Sequence, residues 1–330
     1  TVAVGGGALA AWLRKLQLEL ERKRRRRAAM EAEGLRYADP VHGMVYRLIS
    51  GVPYAASVSE TAVRALQRHF APRASDVFVC AYPRCGASLM RQIVALLLAR
   101  DASVPIDLTT EAPWLEAGVT DGSLDMDALN AAARVDERRR VFSTHAPPRL
   151  FPAVELDGKV IYVARNVKDA CASAFREARA NQLHEYDGSW EAFFSLYRLG
   201  YAGPGSWFEH VRAWWCAAQT GKKNILWVSY EDLLSRPRDT VGRVAFFLGV
   251  DPTEAVLDAV IAKSSFRATK GKDAEADLPF SQAMPWHRWR GTFTAEQSAI
   301  FDEALYRCLR GCAGLSFDFG LGQTFVARPD

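Results

Sequence analysis

The sequence lacks long apolar runs, and no stretch reaches the roughly 18 uninterrupted apolar residues that a transmembrane helix requires. It also lacks cysteine pairs of the C-x-x-C type, and its six cysteines form no zinc-binding pattern with its six histidines. Several of these cysteines lie within apolar segments, which is typical of buried free thiols in a reducing compartment. We therefore predict a cytoplasmic protein.

The excess of positive charge is confined to one segment. Residues 14–27 hold eight Lys/Arg and two Glu, a net charge of +6, whereas the whole chain of 330 residues carries only +4. The body of the chain is therefore slightly acidic, and we predict no nucleic-acid partner for it. We expect residues 1–40 to form a basic, mobile helical extension and residues 41–330 to form a single domain. The basic run favours a solvated appendage, with weak membrane-surface contact, a protein partner or a nuclear address as open alternatives.

A strand, a tight turn and a helix follow one another near the centre of the first half. Asp76–Ala81 is rich in valine and phenylalanine, which predicts a buried strand, and Leu89–Leu98 predicts a mostly buried helix. The connecting segment, Tyr82–Ser88, contains Pro83 and Gly86 as turn residues.

This connection has the features of an anion site. Ser88 is a candidate N-cap, and free N–H groups at a helix N-terminus attract negative charge. Arg84 adds a fixed cation to the same turn. The pattern G-x-x-x-x-G-K-[ST] is absent, so the turn is not a P-loop. The sequence therefore predicts a phosphate or sulfate site here.

Polar residues also follow other predicted strands. His145 comes after Arg140–Phe142, and Arg165 comes directly after the buried strand Lys159–Ala164. Ser173 lies on the helix that follows, at Val167–Arg179. Strands that alternate with helices predict a parallel α/β sheet, in which ligand sites gather at the carboxyl ends of the strands.

The turn Tyr82-Pro83-Arg84-Cys85-Gly86-Ala87-Ser88-Leu89 resembles the 5′-phosphosulfate loop, Y-P-K-S-G-T-T-W, of sulfotransferases that use 3′-phosphoadenosine 5′-phosphosulfate (PAPS). Further segments resemble that family in register, over about Val41 to Arg310. They are Ser143–Pro147 (family K-T-H-l-P), Tyr162–Ser173 (family Y-v-x-R-N-p-K-D-v-x-x-S), Tyr230–Leu233 (family Y-E-D-l) and Ser264–Phe266 (family T-S-F).

The resemblance implies a P-loop-like α/β fold, with a central parallel sheet flanked by helices, and sulfuryl transfer from PAPS, which leaves as PAP. His145 would take the acceptor proton, and Arg84 would offset charge on the bridging oxygen. No metal is implied. The resemblance assigns binding of the 5′-phosphate to residues of the loop, namely Cys85, Gly86, Ala87, Ser88 and Leu89. It assigns binding of the 3′-phosphate to Arg165 and Ser173. Further contacts with the nucleotide would come from Tyr230, Ser264 and Phe266.

The chain departs from the family pattern at several charged or aromatic positions. Arg84 replaces a lysine, Ser143 another lysine and Leu89 a tryptophan. Gln282-Ala283-Met284 stands where the family has the Arg-Lys-Gly clamp on the 3′-phosphate. His287, Arg288 or Arg290 is our hypothesis for its substitute.

The acceptor is predicted to be a small molecule, with a phenol or alcohol favoured and amines left open. We expect the pocket to be lined by the segments Val52–Ala56, Pro113–Glu116, His145–Arg149 and Tyr186–Tyr201. The alternative functions are a catalytically weak relative that binds PAP and a nucleotide-binding phosphotransferase. The oligomeric state is open.

Overall fold

The structure of the chain is a computed structural model. It describes residues 14, 17, 21, 31–32, 34–39, 43–99, 106–132, 139–151, 158–180, 186–220, 224–264 and 287–329. Most of the predicted basic helix, Phe266 and the segment Gln282-Ala283-Met284 lie outside these residues.

Three antiparallel strands form the first sheet: β1 (Leu35–Asp39), β2 (Gly43–Ile49) and β3 (Val52–Ala55). Strand β1 falls within the stretch that we expect to be an extension, yet its residues pair with β2 from Leu35↔Arg47 to Asp39↔Gly43. Gly51, at φ +77°, turns the chain between β2 and β3. This sheet supplies one wall of the cavity described below.

The central sheet is parallel, as predicted. Its strands are β4 (Val77–Ala81), β5 (Val141–Thr144), β6 (Lys159–Ala164) and β7 (Ile225–Ser229), in the order β5-β4-β6-β7. Every residue of β4 and β5 is buried, because helices cover both faces of a parallel sheet. Val77 pairs with Val141 on one side and with Lys159 on the other, so the carboxyl ends of β4, β5 and β6 meet at one edge.

The helices predicted at Leu89–Leu98 and Val167–Arg179 are present among the described helices. In chain order they are α1 (Glu60–His69), α2 (Ala87–Ala99), α3 (Leu108–Glu111), α4 (Leu115–Asp121), α5 (Met126–Ala132), α6 (Val167–Ala180), α7 (Trp190–Arg198), α8 (Trp207–Gln219), α9 (Tyr230–Ser235), α10 (Pro237–Leu248), α11 (Glu254–Lys263) and α12 (Ala295–Cys308). A capping box opens α12, with Thr294 and Gln297 each accepting from the other's backbone N–H.

The end of the chain forms an element that the sequence did not predict. A hairpin of β8 (Ser316–Gly320) and β9 (Gln323–Val326) follows α12. Phe317 and Phe319 point into the core from β8, so the hairpin is packed by aromatic side chains. In the described part of the chain, no helix is long and apolar enough to cross a bilayer.

Candidate active site

The loop between β4 and α2 has the conformation of an anion-binding turn. Arg84 has a φ of +67° and Gly86 a φ of +103°, which is the left-handed region that a residue with a side chain rarely adopts. A Cβ at Gly86 would lie 2.5 Å from the ring of Tyr230, so glycine is required for this close approach. Helix α2 begins at Ala87. Ser88 is therefore the second residue of the helix and not its N-cap. The residue that precedes the helix is Gly86, whose positive φ is non-helical.

The first-turn N–H groups of α2 have no acceptor within the helix, and Gly86, Ala87, Ser88 and Leu89 all line one cavity. Cys85 differs from them. Its amide donates to the carbonyl of Tyr82 at 3.1 Å, and its side chain is buried away from the cavity. Burial raises the pKa of the Cys85 thiol to about 12, so it stays protonated at neutral pH.

His145 leaves the end of β5 with its two ring nitrogens in different surroundings. The Nδ1 atom lies 2.7 Å from the carbonyl oxygen of Ala81. A carbonyl only accepts, so Nδ1 carries the proton and Nε2 of the neutral ring has a free lone pair. Burial lowers the pKa of His145, so the neutral form predominates at pH 7. The ring packs edge-on against Trp114, with centroids 5.1 Å apart, and lines the same cavity.

Buried polar groups hold the backbone around His145. His210 lies with Nε2 3.1 Å from the His145 carbonyl and with Nδ1 2.9 Å from the Tyr162 hydroxyl. Burial lowers the pKa of His210 to about 3, so this imidazole is neutral and donates to the carbonyl. On the other side, the Thr144 hydroxyl donates to Glu116 and accepts from the Ala146 amide at 2.9 Å. The exit of β5 is therefore fixed from both sides.

The two residues assigned to the 3′-phosphate lie beside the loop. Arg165 donates to the carbonyl of Arg84 at 3.1 Å, and its guanidinium stacks on Tyr230 at 4.6 Å from the ring centroid. Ser173, on α6, accepts from Nε of Arg84 at 3.1 Å. Arg84, which the resemblance assigns to the bridging oxygen beside the 5′-phosphate, therefore contacts Ser173, which it assigns to the 3′-phosphate.

Of the three residues predicted as substitutes for the missing clamp, Arg290 is already hydrogen-bonded to backbone carbonyls. One of its amino groups lies 3.2 Å from the carbonyls of Phe319 and Gly320. The backbone N–H of His287 donates to Asp169 at 2.9 Å, which attaches the turn Arg288–Gly291 to the start of α6. Arg288 has no hydrogen bond or ion pair to any residue that the structure describes.

Arg176 is a further cation on the helix that carries Ser173. It lies one helical turn after Ser173 on α6. Partial burial of its guanidinium lowers its pKa, and repulsion from Arg288, Arg165 and Arg84 lowers it further, partly offset by Asp169. Arg176 is therefore within electrostatic range of three other guanidinium groups, of which that of Arg84 contacts the Ser173 hydroxyl. A doubly charged phosphate would relieve this repulsion.

The cavity has a volume of about 520 Å³. Each of the four predicted pocket segments contributes to it, through Tyr54, Trp114, His145 and Phe193 among others. The loop, Arg165, Ser173 and Tyr230 contribute polar groups that contact one another, and most of the other lining residues are apolar. Such a lining suits an anionic nucleotide together with an apolar acceptor.

The residues present fit PAPS. Nε of Arg165 and the hydroxyl of Ser264 are buried without a hydrogen-bond partner in the described part of the chain, and both residues line the cavity. Buried polar atoms are normally satisfied, so each is a ready contact for the nucleotide. A ring stacked on Arg165, as Tyr230 is, also positions a guanidinium for bidentate phosphate binding.

Sequence reasoning missed Arg176 and Glu177. Glu177 lines the cavity, and its carboxylate lies 3.3 Å from Nη1 of Arg84. Its position four residues after Ser173 was a usable signal, since residues at this spacing share one face of a helix. The family motif ends at Ser173 and does not include Glu177.

Comparison with known proteins agrees with this geometry. A model of the sulfotransferase domain family matches residues 74–312. Sulfotransferase 1C2 of Oryctolagus cuniculus is 30% identical over 295 residues, covering 83% of this chain and 95% of that protein. Sulfotransferase 1A1 of Mus musculus is 28% identical over 283 residues, covering 80% and 94%.

Solved structures support the same assignment. The crystal structure of mouse sulfotransferase SULT7A1 complexed with PAP is similar at a TM-score of 0.66 and 25% identity, covering 80% of this chain and 94% of that one. A putative steroid sulphotransferase of Arabidopsis thaliana shares the fold at a TM-score of 0.66 and 19% identity, covering 87% and 93%. The predicted α/β fold is thereby confirmed. Because the family model alone spans most of the chain, the chain belongs to the sulfotransferase domain family, the enzymes that transfer a sulfuryl group from PAPS to a small-molecule acceptor.

Proposed function

We propose that this sulfotransferase acts on a hydroxyl group of a small phenol or alcohol, with His145 as the general base. The observation that carries the proposal is the hydrogen bond from Nδ1 of His145 to the Ala81 carbonyl. It leaves the Nε2 lone pair of a neutral imidazole in the cavity, beside aromatic and apolar residues that suit such an acceptor.

PAPS supplies an activated sulfuryl group whose leaving group is PAP. In the proposed reaction the acceptor oxygen forms a bond to sulfur while the bond from sulfur to the 5′-phosphate oxygen breaks. His145 accepts the hydroxyl proton at Nε2, and Arg84 stabilises charge on the departing oxygen. The N–H groups of Gly86 to Leu89 and the Ser88 hydroxyl hold the 5′-phosphate, whereas Arg165 and Ser173 hold the 3′-phosphate. Tyr230 and Ser264 contact the nucleoside.

The direct test is transfer from PAPS to a panel of phenols, alcohols and amines by the purified chain. We expect sulfated product from hydroxyl acceptors, formed only with PAPS and not with ATP. PAP binding without turnover of any acceptor would instead support the catalytically weak alternative.

The pH dependence of kcat/KM for PAPS, which reports groups of the free enzyme, tests the base. Burial, together with Arg91 and Arg84, lowers the pKa of His145 below its usual 6.5, whereas the Ala81 contact and Glu177 act in the opposite direction. A base must be neutral to act, so activity should persist through neutral pH and fall only below pH 6.5. An acid limb centred above that pH would contradict this assignment.

We also propose that Arg176 and Arg288 replace the missing clamp on the 3′-phosphate. Arg176→Ala and Arg288→Ala should each weaken PAP binding about 3- to 10-fold, because exposed cations contribute less than buried ones. Arg179→Ala is the matched control, since Arg179 lies on the same helix but stacks on Phe175, 6.0 Å from the ring centroid. Calorimetry with PAP measures the effect. Affinities equal to that of the control would exclude both residues.

A cytoplasmic location is part of the same proposal. Cys80, Cys85, Cys171, Cys216 and Cys308 are free thiols, and three of them are buried. Cysteines in the thiol form suit a reducing compartment.

A further inference from the structure

The carboxylate of Glu177 lies in the wall of the cavity. Its side chain is 38% exposed, and the same wall contains the apolar residues Ala174, Ala178 and Phe193. Among the described residues that line the cavity, Glu177 is the one with a carboxylate. A negative charge beside apolar groups is unfavourable unless a cation accompanies it.

The described partner of Glu177 is Arg84, and that pairing is readily exchanged. Nη1 of Arg84 lies 3.3 Å from the Glu177 carboxylate, while both side chains are more than a third exposed. Ion pairs with this exposure contribute little free energy. The reaction requires the same guanidinium at the bridging oxygen of the nucleotide, so the phosphosulfate group competes with Glu177 for Arg84.

Glu177 also acts on the space where the acceptor hydroxyl must lie. Its charge is felt by His145, which faces the same cavity from the end of β5. An acceptor whose hydroxyl contacts Nε2 of His145 therefore shares the cavity with this carboxylate. A cation on the acceptor would replace Arg84 as the partner of that carboxylate.

We propose that Glu177 selects acceptors that carry a protonated amine at a distance from the reacting hydroxyl, as phenolic amines do. The inference rests on the proposed reaction at a hydroxyl group. The protonated amine has no lone pair and stays unreacted, so the hydroxyl oxygen bonds to sulfur, its proton passes to His145 and PAP departs. Glu177 thus fixes the orientation of the acceptor and takes no proton.

Tyramine and 4-ethylphenol test the proposal, since they share a skeleton and differ by the amine. Two readouts are needed: kcat/KM with PAPS, and the dissociation constant of each phenol from the protein saturated with PAP. The wild-type protein should prefer tyramine. In Glu177→Gln the preference for tyramine over 4-ethylphenol should fall about fivefold in both readouts. Using a ratio removes any effect of the lost Arg84 contact that both phenols share.

Glu191→Gln is the matched control, because Glu191 is an exposed carboxylate in the first turn of α7. It should leave the ratio unchanged. Glu177→Lys should reverse the selection, so that 3-(4-hydroxyphenyl)propionate, with a carboxylate in place of the amine, is preferred to tyramine.

An unchanged ratio in Glu177→Gln would overturn the proposal. If both phenols then lost affinity equally, Glu177 would only position Arg84. A wild-type preference for 4-ethylphenol, or no binding of tyramine, would also overturn it. If both phenols bind but neither is sulfated, the hydroxyl proposal fails, and the binding ratio still decides the role of Glu177.

Discussion

Replacing His145 by alanine should lower kcat by about 10²- to 10⁴-fold, the usual contribution of a general base. The imidazole is held through Nδ1 by the Ala81 carbonyl, and its backbone is fixed by His210. No other described histidine lines the cavity, so none replaces the lost base. The affinity for PAP should change less than twofold, because His145 faces the acceptor and not the nucleotide phosphates. Steady-state kinetics and calorimetry on the same preparation measure both quantities.

Two further variants distinguish lost chemistry from lost structure. His69→Ala removes an exposed histidine at the end of α1 and should leave kcat unchanged. His145→Gln can keep a hydrogen bond to Ala81 through its amide group but cannot accept the proton at neutral pH. It should therefore be as slow as the alanine variant while melting closer to the wild-type protein. Turnover near the wild-type rate in either His145 variant would rule out this base.

The second large effect is expected at Arg165, where alanine should weaken PAP binding about 10- to 150-fold. The estimate follows from about 1.5–3 kcal/mol for a hydrogen bond to a charged group. Arg165 is 6% exposed and its Nε lacks a hydrogen-bond partner within the described residues, so a phosphate gains a contact that water does not replace.

A nucleotide comparison tests which phosphate Arg165 binds. Adenosine 5′-phosphate lacks the 3′-phosphate, so its affinity should fall much less than that of PAP in Arg165→Ala. Arg165→Lys keeps the charge but loses the planar fork and the stacking on Tyr230, so it should restore only part of the PAP affinity. Equal losses for both nucleotides would mean that Arg165 shapes the loop through the Arg84 carbonyl and does not contact the 3′-phosphate.

Local sequence signals were enough to predict the central architecture. Strand β4 is a run of valine, phenylalanine and small residues, and β6 is similar, so their burial follows from composition. The convergence of His145, Arg84 and Arg165 follows from a topological rule, since parallel strands bring their carboxyl ends to one edge. The family and the PAPS reaction were predicted from the same residues, and the comparisons confirm them.

Features that depend on tertiary packing were not predictable from local sequence signals. Whether Arg290 faces a phosphate or the β8–β9 hairpin depends on how the end of the chain packs. Cys85 belongs to the loop motif, yet the direction of its side chain is decided by the positive φ values on either side of it. The contact between Arg84 and Ser173 joins residues far apart in the chain, and no local pattern indicates it.

That last contact closes a ring of interactions through the nucleotide site. Arg165 donates to the backbone of Arg84, Arg84 donates to Ser173, and Ser173 lies on the helix that begins two residues after Arg165. In the proposed site, we therefore expect the two phosphate positions to be energetically coupled. A ligand fragment that occupies one end should change the free energy of binding at the other, so that the contributions of the two ends do not simply add. On this proposal, recognition of the nucleotide is a cooperative property of the loop, the strand end and the helix together.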